Sequence, residues 1–258
     1  MTEEFVSRRG LSVVRGGRGE KLAVLLHGLG ANHAVWSRML ELADKHWHGR
    51  WLAPDLRGHG RSVMHGPYGY ATHAADIADL IAEEEPANVT LVGHSMGGVV
   101  AALVATGWYG PRVAEVAAFG VKLVWTPEEE AKARELSLRP ARAFATRAEA
   151  IDRFLKVSGL IGLVDPDSDM AASGVDGSET QWHVAMDPRA FGSVGPSIQD
   201  LLKLSSAPLR LAAGAKDPMV TLAHMQAIDP AARVIVGAGH NVHWEAPAQV
   251  WDFINNKN

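Results

Sequence analysis

Residues 88 to 98 read N-V-T-L-V-G-H-S-M-G-G, and this stretch decides the fold. Val89 to Val92 is a short β-branched and apolar run, which is typical of a buried strand. Gly93-His94-Ser95-Met96-Gly97 follows at once and leads into the apolar run Val99 to Ala105, which predicts a sharp turn into a helix. A serine at the apex of such a turn needs small neighbours, because only they permit its strained backbone. The stretch therefore predicts Ser95 as a nucleophile beside the positive end of the helix.

The composition indicates an ordinary globular chain and narrows the classes of function. At 258 residues, with 47% hydrophobic and 21% charged residues, the chain can bury the core of one large α/β domain. A formal net charge of -4 gives no reason to expect a nucleic-acid partner, and the lack of cysteine excludes disulfides and thiol nucleophiles. Met1 to Glu4 lacks the features of a signal peptide, and no apolar run approaches membrane-spanning length. We therefore expect a cytoplasmic protein with no membrane partner.

Short apolar strands alternate with amphipathic helices along most of the chain. Phe5 to Val14 and Lys21 to Leu26, separated by the turn Arg15 to Gly19, predict a hairpin at the sheet edge. Later strands are predicted at Trp51 to Ala53, Val89 to Val92, Val113 to Val124, Pro208 to Ala213 and Arg233 to Val236. This order favours the α/β class, with a mostly parallel sheet of about eight strands and helices on both faces.

Thr126 to Leu204 interrupts this order and predicts a helical cap. Thr126-Pro127-Glu128 has the composition of a helix start, with a capping threonine, a proline at the first position and acids in the first turn. Further helices are predicted within 131–203, around a polar loop at Asp165 to Ser178. A helical insertion after the sixth strand would lie over the sheet edge where ligands bind. We therefore divide the chain into an α/β core of residues 1–125 and 205–258 and a helical cap of residues 126–204.

Two further loops offer the partners that a serine nucleophile needs. A serine hydroxyl requires a base within hydrogen-bond reach, and the base requires a third group to orient it. Asp217 follows the strand Pro208 to Ala213, and His240 follows the strand Arg233 to Val236, so both should open at the same edge as Ser95. We assign His240 as general base and acid, and Asp217 as its orienting carboxylate.

Five motifs together make the chain similar to the α/β-hydrolase superfamily. They are His27-Gly28-Leu29-Gly30, Asp55 to Ser62, Gly93 to Gly98, Lys216-Asp217-Pro218 and Gly239-His240. The resemblance implies an oxyanion hole made by the backbone N–H groups of Leu29 and Met96, and a serine hydrolase of the esterase or lactonase kind. It also implies acyl transfer to water through an acyl-enzyme, without a cofactor.

The substrate pocket is expected between the cap and the loop after Leu29. Candidate substrate contacts are Asn32, Trp36, Trp125, Trp182 and His183. Such an aromatic and apolar lining suits a small, largely apolar ester, lactone or ketone as the small-molecule partner. For each tryptophan, packing in the core is an equally good interpretation.

Metal and dinucleotide sites are not supported by the motifs that imitate them. His46-Trp47-His48 and the pair His240 and His243 could each present two imidazoles, but neither has a convincing third ligand nearby. Asp165 to Asp169 resembles the start of a calcium loop, yet it lacks the glycine and the closing glutamate. Gly28-Leu29-Gly30 lacks the third glycine of a dinucleotide fingerprint. We therefore predict no metal and no cofactor.

Three functions remain open at this point. The first is a serine esterase or lactonase, which the His94-Ser95 pairing favours by resemblance. The second is a carbon–carbon bond hydrolase of aromatic ring-cleavage products, and the third is a small-ligand receptor that retains the triad. Turnover separates the receptor from the enzymes, and the accepted substrate separates the two enzymes.

Overall fold

The computed structural model describes residues 2–179, 181–193 and 195–255 of the chain. The strands are β1 (Glu3–Val6), β2 (Ser12–Gly17), β3 (Lys21–Leu26), β4 (Arg50–Pro54), β5 (Asn88–His94), β6 (Glu115–Phe119), β7 (Val175–Ser178), β8 (Gln181–Val184), β9 (Leu209–Gly214) and β10 (Arg233–Ile235). Eight of them form one sheet in the order β1-β2-β4-β3-β5-β6-β9-β10. Every neighbouring pair from β4 across to β10 is parallel. The predicted mostly parallel sheet of about eight strands is confirmed.

The edge hairpin forms elsewhere than predicted. β1 pairs antiparallel with β2 across the turn at 7–11, so the run Phe5 to Val14 is two strands rather than one. β2 and β3 are not neighbours, because β4 lies between them and pairs with both. The predicted hairpin across Arg15 to Gly19 is therefore wrong, and that segment is a connection to the interior of the sheet.

Helices cover both faces of the sheet, and the alternation of side chains along β3 shows how. The helices are α1 (Ser37–His46), α2 (Tyr70–Glu84), α3 (Met96–Val104), α4 (Pro127–Ser137), α5 (Arg147–Val157), α6 (Asp169–Ser173), α7 (Ile198–Lys203), α8 (Leu222–Gln226), α9 (Val242–Glu245) and α10 (Pro247–Asn255). Leu22, Val24 and Leu26 join the core cluster that contains α2 and α3 residues. Ala23 and Leu25 face the other cluster, which contains residues of α1 and α10.

The segment between β6 and β9 contains four helices and a small hairpin. At its start, Thr126 accepts a hydrogen bond from the Glu129 N–H in a capping box, so the predicted helix start is confirmed. The antiparallel pair β7 and β8 was not predicted. Ile198 and Leu202 of α7 pack in the same cluster as α3, so the last helix of the predicted cap lies against the sheet side. The cap boundaries at 126 and 204 stay a prediction.

The strand predicted over Val113 to Val124 is shorter in the structure. β6 ends at Phe119, because Gly120 adopts a positive φ of 65° and turns the chain away from the sheet. The residues after Gly120 therefore form a loop above the sheet edge.

Within the described residues, no helix is long and apolar enough to cross a membrane.

Candidate active site

Ser95 stands at the apex of a strained turn between β5 and α3. Its backbone lies at φ 51° and ψ -117°, a conformation that residues with side chains rarely adopt. A Cβ on Gly97 would lie 2.1 Å from the Leu26 carbonyl oxygen, and one on Gly93 would lie 2.5 Å from the Gly97 carbonyl oxygen. The Ser95 N–H donates to the Phe119 carbonyl at 2.9 Å, which ties the turn to β6. The predicted strand, sharp turn and helix are all present.

Asp217 and His240 meet at the carboxyl edge of the sheet, in the loops after β9 and β10. Nδ1 of His240 donates to Oδ2 of Asp217 at 2.8 Å, and Oδ1 of Asp217 accepts the Met219 N–H at 2.9 Å. The Asp217 side chain is fully buried, whereas that of His240 is 17% exposed. With its proton on Nδ1, a neutral imidazole leaves Nε2 free to accept another. Asp217 therefore holds His240 in the tautomer that a general base requires.

The backbone N–H groups of Leu29 and Met96 are the predicted oxyanion donors. Leu29 lies in the loop after β3, and Met96 is the first residue of α3. Among the hydrogen bonds of the described residues, neither N–H has an acceptor. Both donors are therefore available to a ligand, and Met96 lies at the helix end that favours negative charge.

A cavity of about 520 Å³ joins these groups under the cap. Ser95, His240, Leu29 and Met96 all contribute to its lining, and Trp125 lines it from the loop before α4. The apolar residues Val99, Val121, Leu136 and Phe191 also contribute to its walls. The cavity is large enough for a small ligand and is lined mostly by apolar groups. Its polar lining residues include Ser95 and His240, and its charged ones are Lys122, Glu129, Lys132 and Lys156.

The comparison with known families decides the family of the chain. A model described as "Alpha/beta hydrolase family" matches residues 23–253. The chain belongs to this family. The match includes the Ser95 turn, the Asp217 and His240 loops, and the whole segment between β6 and β9.

Relatives of this alpha/beta hydrolase include esterases. A stretch of 89 residues is 38% identical to the pimeloyl-[acyl-carrier protein] methyl ester esterase of Yersinia pseudotuberculosis serotype O:1b (strain IP 31758). That stretch spans 34% of this chain and 32% of the relative, so the match covers about a third of each.

Three solved structures share the fold over nearly the whole chain. An E-2-(acetamidomethylene)succinate hydrolase has a TM-score of 0.79 at 20% identity, covering 99% of this chain and 98% of its own. The thioesterase domain from the curacin biosynthetic pathway has a TM-score of 0.78 at 21% identity, covering 98% and 99%. An esterase from Mycobacterium tuberculosis has a TM-score of 0.72 at 20% identity, covering 98% and 89%. At these identities the likeness concerns the fold of the alpha/beta hydrolase alone.

Trp36 and Asn32 were predicted as substrate contacts, and the structure places them elsewhere. Trp36 is completely buried, with its ring centroid 4.7 Å from that of His243, so it is a core residue. Asn32 is also buried, and its amide donates to the Ser173 carbonyl and hydroxyl oxygens, both at 3.0 Å. Asn32 therefore connects the loop after β3 to α6 of the cap and does not line the cavity of Ser95.

Trp182 and His183 lie in β8 and are also outside that cavity. The N–H and carbonyl groups of Trp182 exchange hydrogen bonds of 3.0 and 2.8 Å with those of Phe144. Nδ1 of His183 donates to the Arg142 carbonyl at 3.1 Å. Both residues therefore contact the loop between α4 and α5. Of the five predicted substrate contacts, Trp125 alone lines the Ser95 cavity.

A buried pair of imidazoles behind His240 was not predicted as part of the site. Nε2 of His94 donates to the His240 carbonyl at 3.1 Å, and the ring centroids of His94 and His243 lie 4.5 Å apart. Burial lowers the pKa of His94 well below its ordinary value and lowers the pKa of His243 to about 3. Both rings are therefore neutral, and His94 supports the backbone of His240. The position of His94 within the 93–97 turn was the available sequence signal.

A second network of buried hydrogen bonds holds the loop after β3. Nδ1 of His27 donates to the Gly28 carbonyl at 2.8 Å, while its Nε2 accepts the Leu56 N–H at 2.9 Å. Asp55 accepts from both the backbone N–H and Nδ1 of His33, each at 2.7 Å. Burial is the main cause that lowers the pKa of His27 to about 3. These contacts fix the backbone on both sides of Leu29.

Within residues 2–179, 181–193 and 195–255, no group of three or more histidine, aspartate or glutamate side chains is arranged to hold a metal ion.

Proposed function

We propose that this alpha/beta hydrolase is a serine hydrolase that cleaves a small, largely apolar carboxylic ester or lactone. The observation that carries the proposal is the 2.8 Å contact from His240 to the buried Asp217, at a cavity that also contains the strained Ser95. The esterase name of the Yersinia relative supports the same class of reaction. The cytoplasmic location, the independence from cofactors and the absence of a nucleic-acid partner stay predictions.

The proposed reaction follows from the positions of these groups. The Ser95 hydroxyl oxygen attacks the ester carbonyl carbon, while Nε2 of His240 takes the hydroxyl proton. The carbonyl oxygen becomes negative and is stabilised by the N–H groups of Leu29 and Met96. The carbon–oxygen bond then breaks, His240 returns the proton to the alcohol, and an acyl-Ser95 ester remains. Water attacks this ester with His240 again as base, which releases the acid and restores Ser95.

A panel of p-nitrophenyl esters of short and medium chains tests this proposal. We expect turnover by the wild type above pH 7 and a loss on the order of 10⁴-fold or more in kcat for Ser95→Ala. Ser178→Ala, at an exposed position in β7, is the matched control and should keep full activity. Equal turnover by the wild type and a folded Ser95→Ala protein would overturn the assignment. If neither turns over any ester, ring-cleavage ketones and then ligand binding without turnover become the functions to test.

A further inference from the structure

A second cavity, of about 240 Å³, lies in the cap beside the one that contains Ser95. The two cavities share Leu136, Val157 and Phe191 in their walls. Leu136 belongs to α4 and Val157 to the end of α5, so both cavities open between the same two helices. The two cavities are therefore neighbours that border the same three apolar side chains.

Three arginines line the second cavity: Arg139, Arg142 and Arg153. Among the described residues that line it there is no aspartate and no glutamate. Arg139 pairs with Glu135, which lies outside the lining, and the ion pairs of the described residues include none for Arg142 or Arg153. Three guanidinium groups around one small space, whose own lining contains no carboxylate among the described residues, favour an anionic occupant.

The loop that carries Arg142 is fixed rather than free. Phe144 exchanges two backbone hydrogen bonds with Trp182, and His183 donates to the Arg142 carbonyl at 3.1 Å. The Arg142 guanidinium carbon lies 4.8 Å from the centre of the Phe144 ring. The hairpin of β7 and β8 therefore holds Arg142 at the second cavity. Trp182 and His183 contribute to this by contacting the loop that carries Arg142.

Positive charge continues from the second cavity into the first. Lys132 and Lys156 line the cavity of Ser95, and Lys156 follows Arg153 by one helical turn on α5. Lys132 pairs with Glu135 at 2.8 Å, whereas the described residues include no ion pair for Lys156. Glu129 of α4 also lines the Ser95 cavity and pairs there with Lys122. The cap side of the two cavities therefore carries more positive than negative side chains.

We infer that the second cavity binds an anionic group of the substrate, a carboxylate or a phosphate, while the ester of the same molecule reaches Ser95. The inference rests on the proposed ester hydrolysis and names its substrate class: an ester with an apolar middle and an anionic end. A planar guanidinium donates two parallel hydrogen bonds to either anion, which gives the site both affinity and orientation.

Matched substrates test this inference. Monomethyl and dimethyl esters of the same straight-chain dicarboxylic acids present the same scissile bond, with and without one carboxylate. We expect the wild type to have the higher kcat/KM for the monoester at one chain length, and Arg153→Gln to lower the monoester-to-diester ratio about fivefold, the effect of one moderately exposed ion pair. Arg142→Gln should act in the same direction. Arg112→Gln, at an exposed position between α3 and β6, is the control and should leave the ratio unchanged.

The two proposals fail in different ways. Ser95-dependent hydrolysis of the diester with no preference for the monoester, and no response of the ratio in either arginine variant, would overturn the inference and leave the esterase proposal standing. Hydrolysis of no ester in any panel would overturn the esterase proposal.

A binding measurement is independent of turnover. At constant ionic strength, inorganic phosphate or succinate should raise the Tm of the wild type and of Arg112→Gln, and should do so less for Arg153→Gln. A response to succinate alone would assign the site to carboxylates, and a response to phosphate alone would assign it to phosphates. Equal Tm shifts in all three proteins would overturn the cavity as the binding site.

Discussion

The sheet side and the cap side of the Ser95 cavity differ in the groups that form them. On the sheet side, two buried and neutral imidazoles, His27 and His94, each use a ring N–H to hold a backbone carbonyl of an active-site loop. On the cap side, α4, α5 and the loop between them carry lysines and arginines. The sheet side positions backbone atoms, whereas the cap side presents charged side chains. Under the proposed function, this difference assigns the reaction to the sheet side and the choice of substrate to the cap side.

Among the groups that support Ser95, the largest effect is expected from the carboxylate that orients His240. Asp217→Asn preserves the shape of the side chain but favours the wrong imidazole tautomer, so kcat should fall roughly 10³- to 10⁴-fold. Steady-state kinetics on the best p-nitrophenyl ester measures this. Asp252→Asn, at an exposed position in α10, is the matched control. A loss of less than tenfold in Asp217→Asn would mean that the sheet side does not depend on this contact.

The next effect concerns the space under the Ser95 turn. In Gly97→Ala the new methyl group would lie 2.1 Å from the Leu26 carbonyl oxygen, so backbone must move. We expect a loss of about 3 kcal/mol in the free energy of unfolding, together with lower activity. Chemical denaturation measures the change. Gly69→Ala is the control, because a Cβ there meets nothing within 4 Å; equal stability of the two variants would contradict the packing argument.

How much of this could be predicted from sequence depends on how local the cause is. The Ser95 turn was predictable because Gly93 and Gly97 act on their immediate neighbours. The edge hairpin was predicted wrongly because the insertion of β4 between β2 and β3 is a long-range pairing that no local pattern encodes. Trp36 was placed in the pocket because it follows the loop after Leu29, and this position in the chain does not show which way its side chain faces. The hairpin of the cap was missed because Asp176 to Ser178 carries no apolar alternation.

A smaller effect, confined to the sheet side, is acid sensitivity. The folded pKa of His243 is lowered to about 3, chiefly by burial, so below pH 6.5 the unfolded chain binds a proton that the folded chain excludes. The free energy of unfolding should therefore fall with decreasing pH, by up to about 1.4 kcal/mol per unit from this residue alone. Denaturation at pH 7.0, 6.0 and 5.0 measures how steeply the free energy of unfolding changes with pH. His243→Phe should reduce this slope by the amount that corresponds to about one proton taken up on unfolding. An unchanged slope in that variant would show that this imidazole is not the source.

The smallest effect tests the cap side. Thr146 precedes α5, and its side chain accepts a hydrogen bond from the Glu149 N–H. Thr146→Ala should therefore lower the free energy of unfolding by about 1 kcal/mol and increase amide exchange in that helix. Hydrogen exchange read by mass spectrometry locates the change. Thr146→Ser keeps the acceptor and should restore protection. Equal increases of amide exchange in α5 and α3 would show that the cap side and the sheet side unfold as one cooperative unit. That result would contradict the distinction drawn between the two sides.

The route of the chain through β6 and β9 has a consequence for how such enzymes diversify. These two strands are neighbours in the sheet, and the described residues between them add no strand to it. The pairing of β6 with β9 does not involve the residues between them, so we expect that segment to tolerate insertions and substitutions better than the strands do. Under the proposed function, such changes would alter the choice of substrate and leave the reaction chemistry at Ser95 in place.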